Sequence, residues 1–184
     1  MYILISGPMF SGKTTHLISY AQRFRTAHKK MLFVKHSIDT RYSSDPEVIS
    51  HDGLVFKSDD QSSCRIITTT TLNDISDEFV QNVDCILIDE GQFFDDLGVF
   101  IKKYVNTKTI VVSSLISDFR MQPFTNTVST ISFADTIYHM SANCAVCEAE
   151  TSFTARVVNN DSQILVGSTD AYEPRCRQHH PFSI

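Results

Sequence analysis

Apolar and polar residues alternate along the chain in blocks that predict a repeated order of strand and helix. Short apolar or β-branched runs are typical of buried strands at Tyr2–Ile5, Met31–Val34, Arg65–Thr71, Val83–Ile88, Thr109–Ser113 and Ile137–Met140. Apolar residues at helical spacing predict helices after Thr14 and over 72–81, 95–104 and 125–132. This alternation predicts an α/β fold with a parallel central sheet that is buried on both faces.

Two regions depart from that alternation. The stretch from His36 to about Cys64 is polar and has no clear periodicity, which suggests a mobile segment at an active site. A change in composition near Ala142 separates a domain over 1–141 from a small module over 142–184. Within the module, strands Thr151–Val158 and Gln163–Gly167 are predicted to form a hairpin around the turn 159–162.

Composition narrows the class of partner. The chain has 184 residues and a net charge of -5, which argues against a general nucleic-acid binder or a binder of anionic membranes and favours a small-molecule partner. No signal segment and no run of membrane-spanning length is present, so a cytoplasmic location without membrane or nucleic-acid partners is expected. Five cysteines in such a location are not expected to form disulfides.

The first strand leads into a phosphate-loop pattern, Gly7-Pro8-Met9-Phe10-Ser11-Gly12-Lys13-Thr14. Glycines let backbone N–H groups approach an anion, and the helix that follows adds its positive end at the same point. Lys13 would bridge the outer phosphates of ATP, and Thr14 would offer its hydroxyl to Mg²⁺. The alternative is an ordinary glycine turn, although the full pattern arises by chance in only about one chain in a hundred of this length.

Asp89 and Glu90 follow the strand predicted over 83–88, at the edge where open α/β sheets build their sites. In a phosphate-loop protein, an acidic residue at this position binds Mg²⁺ together with the hydroxyl of the loop, and Asp89 fits that role. Glu90 is then free to accept a proton from an attacking hydroxyl or water. Two solvated acids that cap a strand are the alternative. Arg41, in the polar segment, could bind phosphate through two parallel hydrogen bonds, or it could be a solvated loop arginine.

Two pairs of metal-binding residues with two-residue spacing flank the predicted hairpin: Cys144 with Cys147, and Cys176 with His179. Each pair can chelate tetrahedral Zn²⁺ from one turn, and four protein ligands leave no open position, so the zinc would be structural. His180 could replace His179 as the fourth ligand. Reduced cysteines beside a chance histidine are the remaining alternative.

Taken together, these motifs resemble the thymidine kinases of the cellular cytosolic, bacterial and poxviral type. The resemblance also includes Asp39-Thr40-Arg41-Tyr42 and Asp89-Glu90-Gly91-Gln92-Phe93-Phe94, and it runs from Tyr2 to His179. It implies a RecA-like P-loop domain with a zinc-binding lasso module over 142–184, and a homotetramer. It further implies transfer of the γ-phosphoryl group of ATP, bound with Mg²⁺, to the 5′-hydroxyl of deoxythymidine.

The resemblance also implies roles for individual residues. Glu90 matches the general base on the 5′-hydroxyl, and Tyr172 matches a lasso tyrosine whose neighbouring backbone binds the base. The remaining matches line the nucleoside pocket: Phe93 and Phe119 as its walls, with Met9 and Thr154 near the thymine methyl. A pocket of this kind reads the hydrogen-bonding edge shared by thymine and uracil, so deoxyuridine is expected as a second acceptor.

Two positions depart from the family pattern: Ile116 follows Leu115 where aspartate is common, and Ser168 replaces a second glycine. These departures put the fit of the Phe119 loop and the shape of the lasso in question. The alternative function is a phosphate-loop ATPase in which Glu90 activates water and the zinc module binds a macromolecule. That module has few cations for nucleic acid, namely Arg156, Arg175 and Arg177.

Overall fold

The computed structural model describes residues 1–38, 47–50, 53–58, 63–165 and 167–182. In chain order the elements are β1 Tyr2–Ser6, α1 Lys13–Thr26, β2 Met31–His36, β3 Glu47–Ile49, β4 Val55–Lys57, β5 Cys64–Thr69, α2 Asp77–Gln81, β6 Cys85–Ile88, α3 Leu97–Tyr104, β7 Thr109–Ser114, α4 Thr125–Val128, β8 Thr136–His139, β9 Ala142–Asn143, β10 Glu150–Thr151, β11 Thr154–Arg156 and β12 Tyr172–Pro174. Short 3₁₀ turns lie at Leu72–Asp74, Gly91–Phe93 and Ile131–Phe133.

Six strands form one sheet in the order β5-β2-β6-β7-β1-β8, and every neighbouring pair is parallel. The predicted α/β fold with a parallel central sheet is therefore confirmed. Because all six strands point the same way, the loops that follow β1, β6 and β7 meet at one edge of the sheet.

Alternate residues of each central strand pack on opposite faces of the sheet. In β1, Tyr2 and Leu4 belong to the core that contains α3, whereas Ile3 and Ile5 belong to the core that contains Leu17 of α1. Both faces are covered, which explains why these strands read as continuous apolar runs. No helix in the described residues is long and apolar enough to cross a membrane.

Two predicted helices are shorter than their apolar spacing suggests. The helix expected over 72–81 is divided into a 3₁₀ turn and α2. The Asp96 carboxylate accepts hydrogen bonds from the backbone N–H groups of Leu72 and Asn73, and these bonds hold the chain in the tight turn before α2 begins. The helix expected over 125–132 is likewise α4 followed by a 3₁₀ turn.

The polar segment before β5 contains an antiparallel ribbon that the sequence pattern did not predict. Its strands, β3 and β4, bury Val48 and Phe56 against the α1 side of the sheet, where the Phe56 and Phe33 rings lie 6.1 Å apart. Two buried side chains in six strand residues are too few for periodicity to reveal. Residues 39–46, which include Arg41, lie outside the described residues.

The lasso module contains two short antiparallel pairs, β9 with β10 and β11 with β12. The hairpin predicted between Thr151–Val158 and Gln163–Gly167 is wrong, because β11 pairs with Tyr172–Pro174 instead. A side chain binds the expected turn and the first residue of the expected second strand: the Arg156 guanidinium donates to the carbonyls of residues 160, 162 and 163. The division of the chain into 1–141 and 142–184 stays a prediction.

Candidate active site

The phosphate loop joins β1 to α1 and depends on two glycines. Gly12 has a φ of 80° where α1 begins, a left-handed conformation that favours glycine. A Cβ on Gly7 would lie 2.5 Å from the carbonyl oxygen of Met140, so a side chain does not fit there. Lys13 is largely buried, and its ammonium donates to the carbonyl of Pro8 at 2.6 Å. This bond ties the lysine side chain to its own loop.

Asp89 directly follows β6 and faces the phosphate loop across the end of β7. The Thr14 hydroxyl donates to both of its carboxylate oxygens at 3.1 and 3.2 Å, and Ser113 of β7 donates to one of them at 2.7 Å. A hydroxyl and a carboxylate offer the oxygen ligands that Mg²⁺ prefers. Thr14 and Asp89, paired from the sequence, thus lie together and fit such an ion.

Glu90 follows Asp89 but has a different backbone and a different partner. Its φ of 52° is left-handed, and the chain then enters the 3₁₀ turn at Gly91–Phe93. The Glu90 carboxylate accepts a hydrogen bond of 2.6 Å from the Gln92 side chain, whereas the Asp89 carboxylate bonds to Thr14. The turn therefore directs two adjacent acids to different partners.

One pocket joins these groups to the predicted nucleoside-binding residues. From the phosphate loop it is lined by Met9, Phe10, Gly12, Lys13 and Thr14, and from the rest of the predicted site by Asp89, Glu90, Phe93, Phe119, Thr154 and Tyr172. Gly7, Pro8 and Ser11 belong to the loop but do not line the pocket, and Arg41 lies outside the described residues. Residues far apart in sequence thus share one cavity at the carboxyl edge of the sheet.

Met9 and Thr154 connect the phosphate loop to the lasso module. The backbone N–H of Met9 donates to the Thr154 hydroxyl at 2.9 Å, although 145 positions separate the two residues. Met9 also packs with the buried apolar cluster of Phe119, Ala171 and Tyr172. The module is therefore attached directly to the loop that would hold phosphate.

Arg156 organises the far wall of the pocket, a role that the sequence analysis missed. Its guanidinium carbon lies 3.8 Å from the centre of the Phe119 ring, and its nitrogen donates to the Tyr172 hydroxyl at 2.6 Å. The Tyr172 hydroxyl in turn donates to the carbonyl of Leu165. The sequence did hold a signal for this role, because Arg156 lies two positions after Thr154 and so on the same face of a predicted strand. The alternation of strand residues does not show, however, what that face contacts.

Asp118 supplies a carboxylate in the loop where Ile116 departs from the family pattern. One of its oxygens accepts from the backbone N–H groups of Arg120 and Gln122, and the other accepts from the Gln163 side chain at 3.1 Å. Asp118 and Gln163 both line the pocket, and neither was predicted as a site residue. Asp118 therefore supplies the carboxylate that hydrogen-bonds the loop around Phe119, even though residue 116 is apolar.

Four metal-binding side chains meet in the lasso module. The ligand atoms of Cys144, Cys147, Cys176 and His179 all lie within 4.8 Å of one another. The Cys147 and Cys176 sulfurs are 3.7 Å apart, close to the separation of about 3.8 Å that zinc–sulfur bonds of 2.3 Å require in a tetrahedron. This cluster can hold a metal ion, and its three thiols with one imidazole suit zinc.

Local hydrogen bonds lower the pKa of one of these thiols, that of Cys144, and so favour its thiolate form. Burial raises the pKa of Cys144, but backbone hydrogen bonds from Cys176, Val146 and Cys147 outweigh it and, together with His179, lower the pKa to about 5. The thiolate is the form that binds metal. His180 points elsewhere, with its Nε2 3.1 Å from the carbonyl of Thr154. Geometry therefore favours His179 over its neighbour.

Known proteins match nearly the whole chain. A family model described as "Thymidine kinase" matches residues 1–180. Thymidine kinase 1 of Dictyostelium discoideum is 39% identical, over 95% of this chain and 74% of that protein. A thymidine kinase of Fowlpox virus is 35% identical, over 95% and 93%. A thymidine kinase of Pyrobaculum aerophilum is 33% identical, over 98% of both chains. On this sequence similarity and coverage, the chain belongs to the thymidine kinase family.

Proposed function

We propose that this chain transfers the γ-phosphoryl group of ATP to the 5′-hydroxyl of deoxythymidine. The observation that carries the proposal is the shared pocket, in which the phosphate loop, Asp89, Glu90 and the aromatic residues Phe119 and Tyr172 line one cavity. Membership of the thymidine kinase family supports the same acceptor. An enzyme of this kind must hold a polyphosphate and a nucleoside side by side, as this cavity allows.

The chemical steps divide among the residues by their position. The phosphate loop, Gly7–Thr14, would bind the phosphates of ATP through its backbone N–H groups, and Lys13 would compensate the charge of the transferring group. Glu90 would accept the proton of the 5′-hydroxyl as that oxygen attacks. Arg41 remains a proposed phosphate ligand.

Two metal ions would accompany this function. Thr14 and Asp89 would hold Mg²⁺, which supplies charge neutralisation on the phosphates when it is bound. Cys144, Cys147, Cys176 and His179 would hold structural Zn²⁺. The second site lies in the module that carries Thr154 and Tyr172, so it would act on the nucleoside pocket only through folding.

The nucleoside would lie between the lasso module and the loop around Phe119. Phe93 and Phe119 would wall the pocket, Met9 and Thr154 would lie near the 5-methyl group, and the backbone beside Tyr172 would bind the base edge. The apolar cluster formed by Phe119, Ala171 and Tyr172 supports this arrangement. Because uracil presents the same hydrogen-bonding edge as thymine, deoxyuridine would also be accepted.

The chain would act as a cytoplasmic homotetramer. An edge strand supports the association: β8 lies at the edge of the central sheet, and its Ile137 and Tyr138 are 45% and 38% exposed. An exposed apolar edge strand invites pairing with another chain. Molar mass from light scattering at several protein concentrations would test the stoichiometry.

The test of the proposed function is ATP consumption with each nucleoside added singly. We expect rapid turnover with deoxythymidine, slower turnover with deoxyuridine and little turnover without a nucleoside. ATP hydrolysis at the same rate with and without nucleoside would contradict the proposal and favour the ATPase alternative. Identification of the 5′-monophosphate as product would separate transfer from stimulated hydrolysis.

A further inference from the structure

Gln92 lies two positions after Glu90, and its polar side chain is withdrawn from solvent. It lies in the 3₁₀ turn Gly91–Phe93 and is 1% exposed. Buried amides in native proteins are hydrogen-bonded, because an unpaired one costs about 1–3 kcal/mol. The three partners of Gln92 therefore decide how its amide points.

The orientation of the Gln92 amide follows from a donor that cannot act as an acceptor. The backbone N–H of Leu115 lies 2.9 Å from Oε1, and a backbone N–H only donates, so the oxygen must face Leu115. The Ser114 hydroxyl donates to the same oxygen at 3.0 Å. The NH₂ group is then directed to Glu90, whose Oε2 lies 2.6 Å from it.

We infer that Gln92 is a positioning residue that holds the Glu90 carboxylate, by one oxygen, in the orientation in which it meets the acceptor hydroxyl. The inference rests on the proposed role of Glu90 as the base. The bond is short and charge-assisted, and it connects the carboxylate to the carboxyl end of β7 through Leu115. The left-handed backbone at Glu90 directs the side chain into the pocket, and Gln92 restricts its rotation there.

Among the described residues, four other ionisable side chains line the same pocket from different elements: Lys13 of α1, Asp89 beside Glu90, Asp118 of the loop after β7, and Tyr172 of β12. A variant at Gln92 leaves all four in place. A fall in kcat without a change in the Kd for ATP or deoxythymidine therefore reports on the orientation of the Glu90 carboxylate.

The decisive variant is Gln92→Glu, which keeps the shape and the acceptor for Leu115. It replaces the NH₂ donor by a carboxyl oxygen, so the bond that orients the Glu90 carboxylate is lost. We expect kcat to fall on the order of tenfold or more, with the Kd for ATP and for deoxythymidine changed less than about twofold.

Two further variants separate positioning from packing. Gln92→Met removes the donor without adding an acidic group, so kcat should fall while the Kd values stay close to those of the unmodified protein. Ser114→Ala removes one bond to the Gln92 oxygen but leaves Leu115 and Glu90 in contact with the amide. It should lower the unfolding temperature without lowering kcat. Thermal unfolding of each variant identifies losses that come from folding alone.

The outcomes distinguish this inference from the proposed function. If the unmodified protein does not phosphorylate deoxythymidine, the proposed function is wrong, and if Glu90→Gln stays active, the base is wrong. If both tests succeed and Gln92→Glu keeps the kcat of the unmodified protein, Gln92 only packs and the inference is overturned. A lower kcat at unchanged Kd in Gln92→Glu, with an unchanged kcat in Ser114→Ala, supports it.

Discussion

Two adjacent carboxylates in this protein have different surroundings, which supports the different tasks proposed for them. Asp89 is buried and accepts from Thr14 and Ser113, the pattern of a residue that would share a metal ion with the phosphate loop. Glu90 is partly exposed in the pocket and bonds to Gln92. Both carboxylates line the pocket, and Glu90, the more exposed of the two, is the one that would exchange a proton with a substrate there.

At this scale we predict that Glu90→Gln abolishes most turnover and leaves nucleotide binding intact. Glutamine keeps the shape of glutamate and removes its basicity, and general base catalysis contributes about 10²–10⁴-fold to rate. We expect kcat to fall within that range and the Kd for ATP to change less than about threefold. Single-turnover kinetics and titration calorimetry measure the two quantities.

The matched control is Glu78→Gln, the same substitution at an exposed residue of α2. It should leave kcat and nucleotide affinity close to those of the unmodified protein. Loss of ATP affinity together with turnover in Glu90→Gln would count against Glu90 as the base. If Glu90→Gln kept the kcat of the unmodified protein, another group would have to accept the proton of the 5′-hydroxyl.

At the scale of elements, the Arg156 side chain supplies hydrogen bonds to carbonyls of the segment after β11, where a neighbouring strand would otherwise supply them. It lies in β11, is 7% exposed, and binds carbonyls of that segment while it stacks on Phe119. A planar guanidinium can stack and donate in several directions at once, which an ammonium cannot. One side chain thus joins β11, the following segment and the Phe119 loop.

We therefore predict that Arg156→Lys weakens deoxythymidine binding. Hydrogen bonds to charged groups contribute about 1.5–3 kcal/mol, so loss of one corresponds to an increase in Kd on the order of ten- to hundredfold. Arg120→Lys is the matched control, because Arg120 also contacts Phe119 but pairs with the exposed Asp161, where an ion pair contributes about 0–1 kcal/mol. Calorimetry should show a clearly smaller loss for Arg120→Lys, and equal losses would refute this account.

The metal cluster gives a second prediction for an element. Cys147→Ser should lower the metal content, the unfolding temperature and deoxythymidine affinity together, because metal-binding energy becomes folding energy in a small module. His179→Ala should do the same. His180→Ala should keep about one metal ion per chain, since His180 bonds to the carbonyl of Thr154 and not to the cluster. Elemental analysis and thermal unfolding measure these effects.

Three results would contradict this picture of the cluster. Protein purified without chelators that contains no zinc would show that the four residues do not hold it. If His180→Ala lost the metal and His179→Ala kept it, His180 and not His179 would be the fourth ligand. Full activity in Cys147→Ser would show that the nucleoside pocket does not depend on the metal.

At the scale of the whole molecule, the pocket exists only because two parts of the chain meet. The phosphate loop and the lasso module are joined by the bond from Met9 to Thr154, and Gln163 joins the module to Asp118. A nucleoside in this pocket would contact both parts. Base selectivity is therefore a property of the assembled molecule and not of either part.

We predict that deoxycytidine is rejected strongly and deoxyuridine only mildly. Cytosine carries an acceptor at N3 and a donor at its amino group, so a site built for thymine would leave two groups unpaired, each at a cost of about 1–3 kcal/mol. The missing methyl of uracil changes binding by only about 1 kcal/mol, or roughly fivefold. Competition kinetics with the three nucleosides test this, and comparable efficiency on deoxycytidine would contradict the pocket.

The sequence alone determined the features that are local in the chain. A phosphate loop is eight consecutive residues, its carboxylate follows a buried strand, and each half of the metal cluster has two-residue spacing. Such chemistry can be read without a fold because neighbouring residues supply all of it. The alternation of apolar runs also predicted the parallel sheet, since two-sided burial leaves continuous apolar strands.

Only the tertiary structure decided which distant residues meet. Pairing of β11 with Tyr172–Pro174, the choice of His179 over His180, and the orientation of Gln92 all depend on partners far away in the chain or on backbone groups with no sequence pattern. Apolar periodicity records which residues are buried. It does not record the direction in which a buried amide or guanidinium points, because that is set by the donors and acceptors that the fold brings to it.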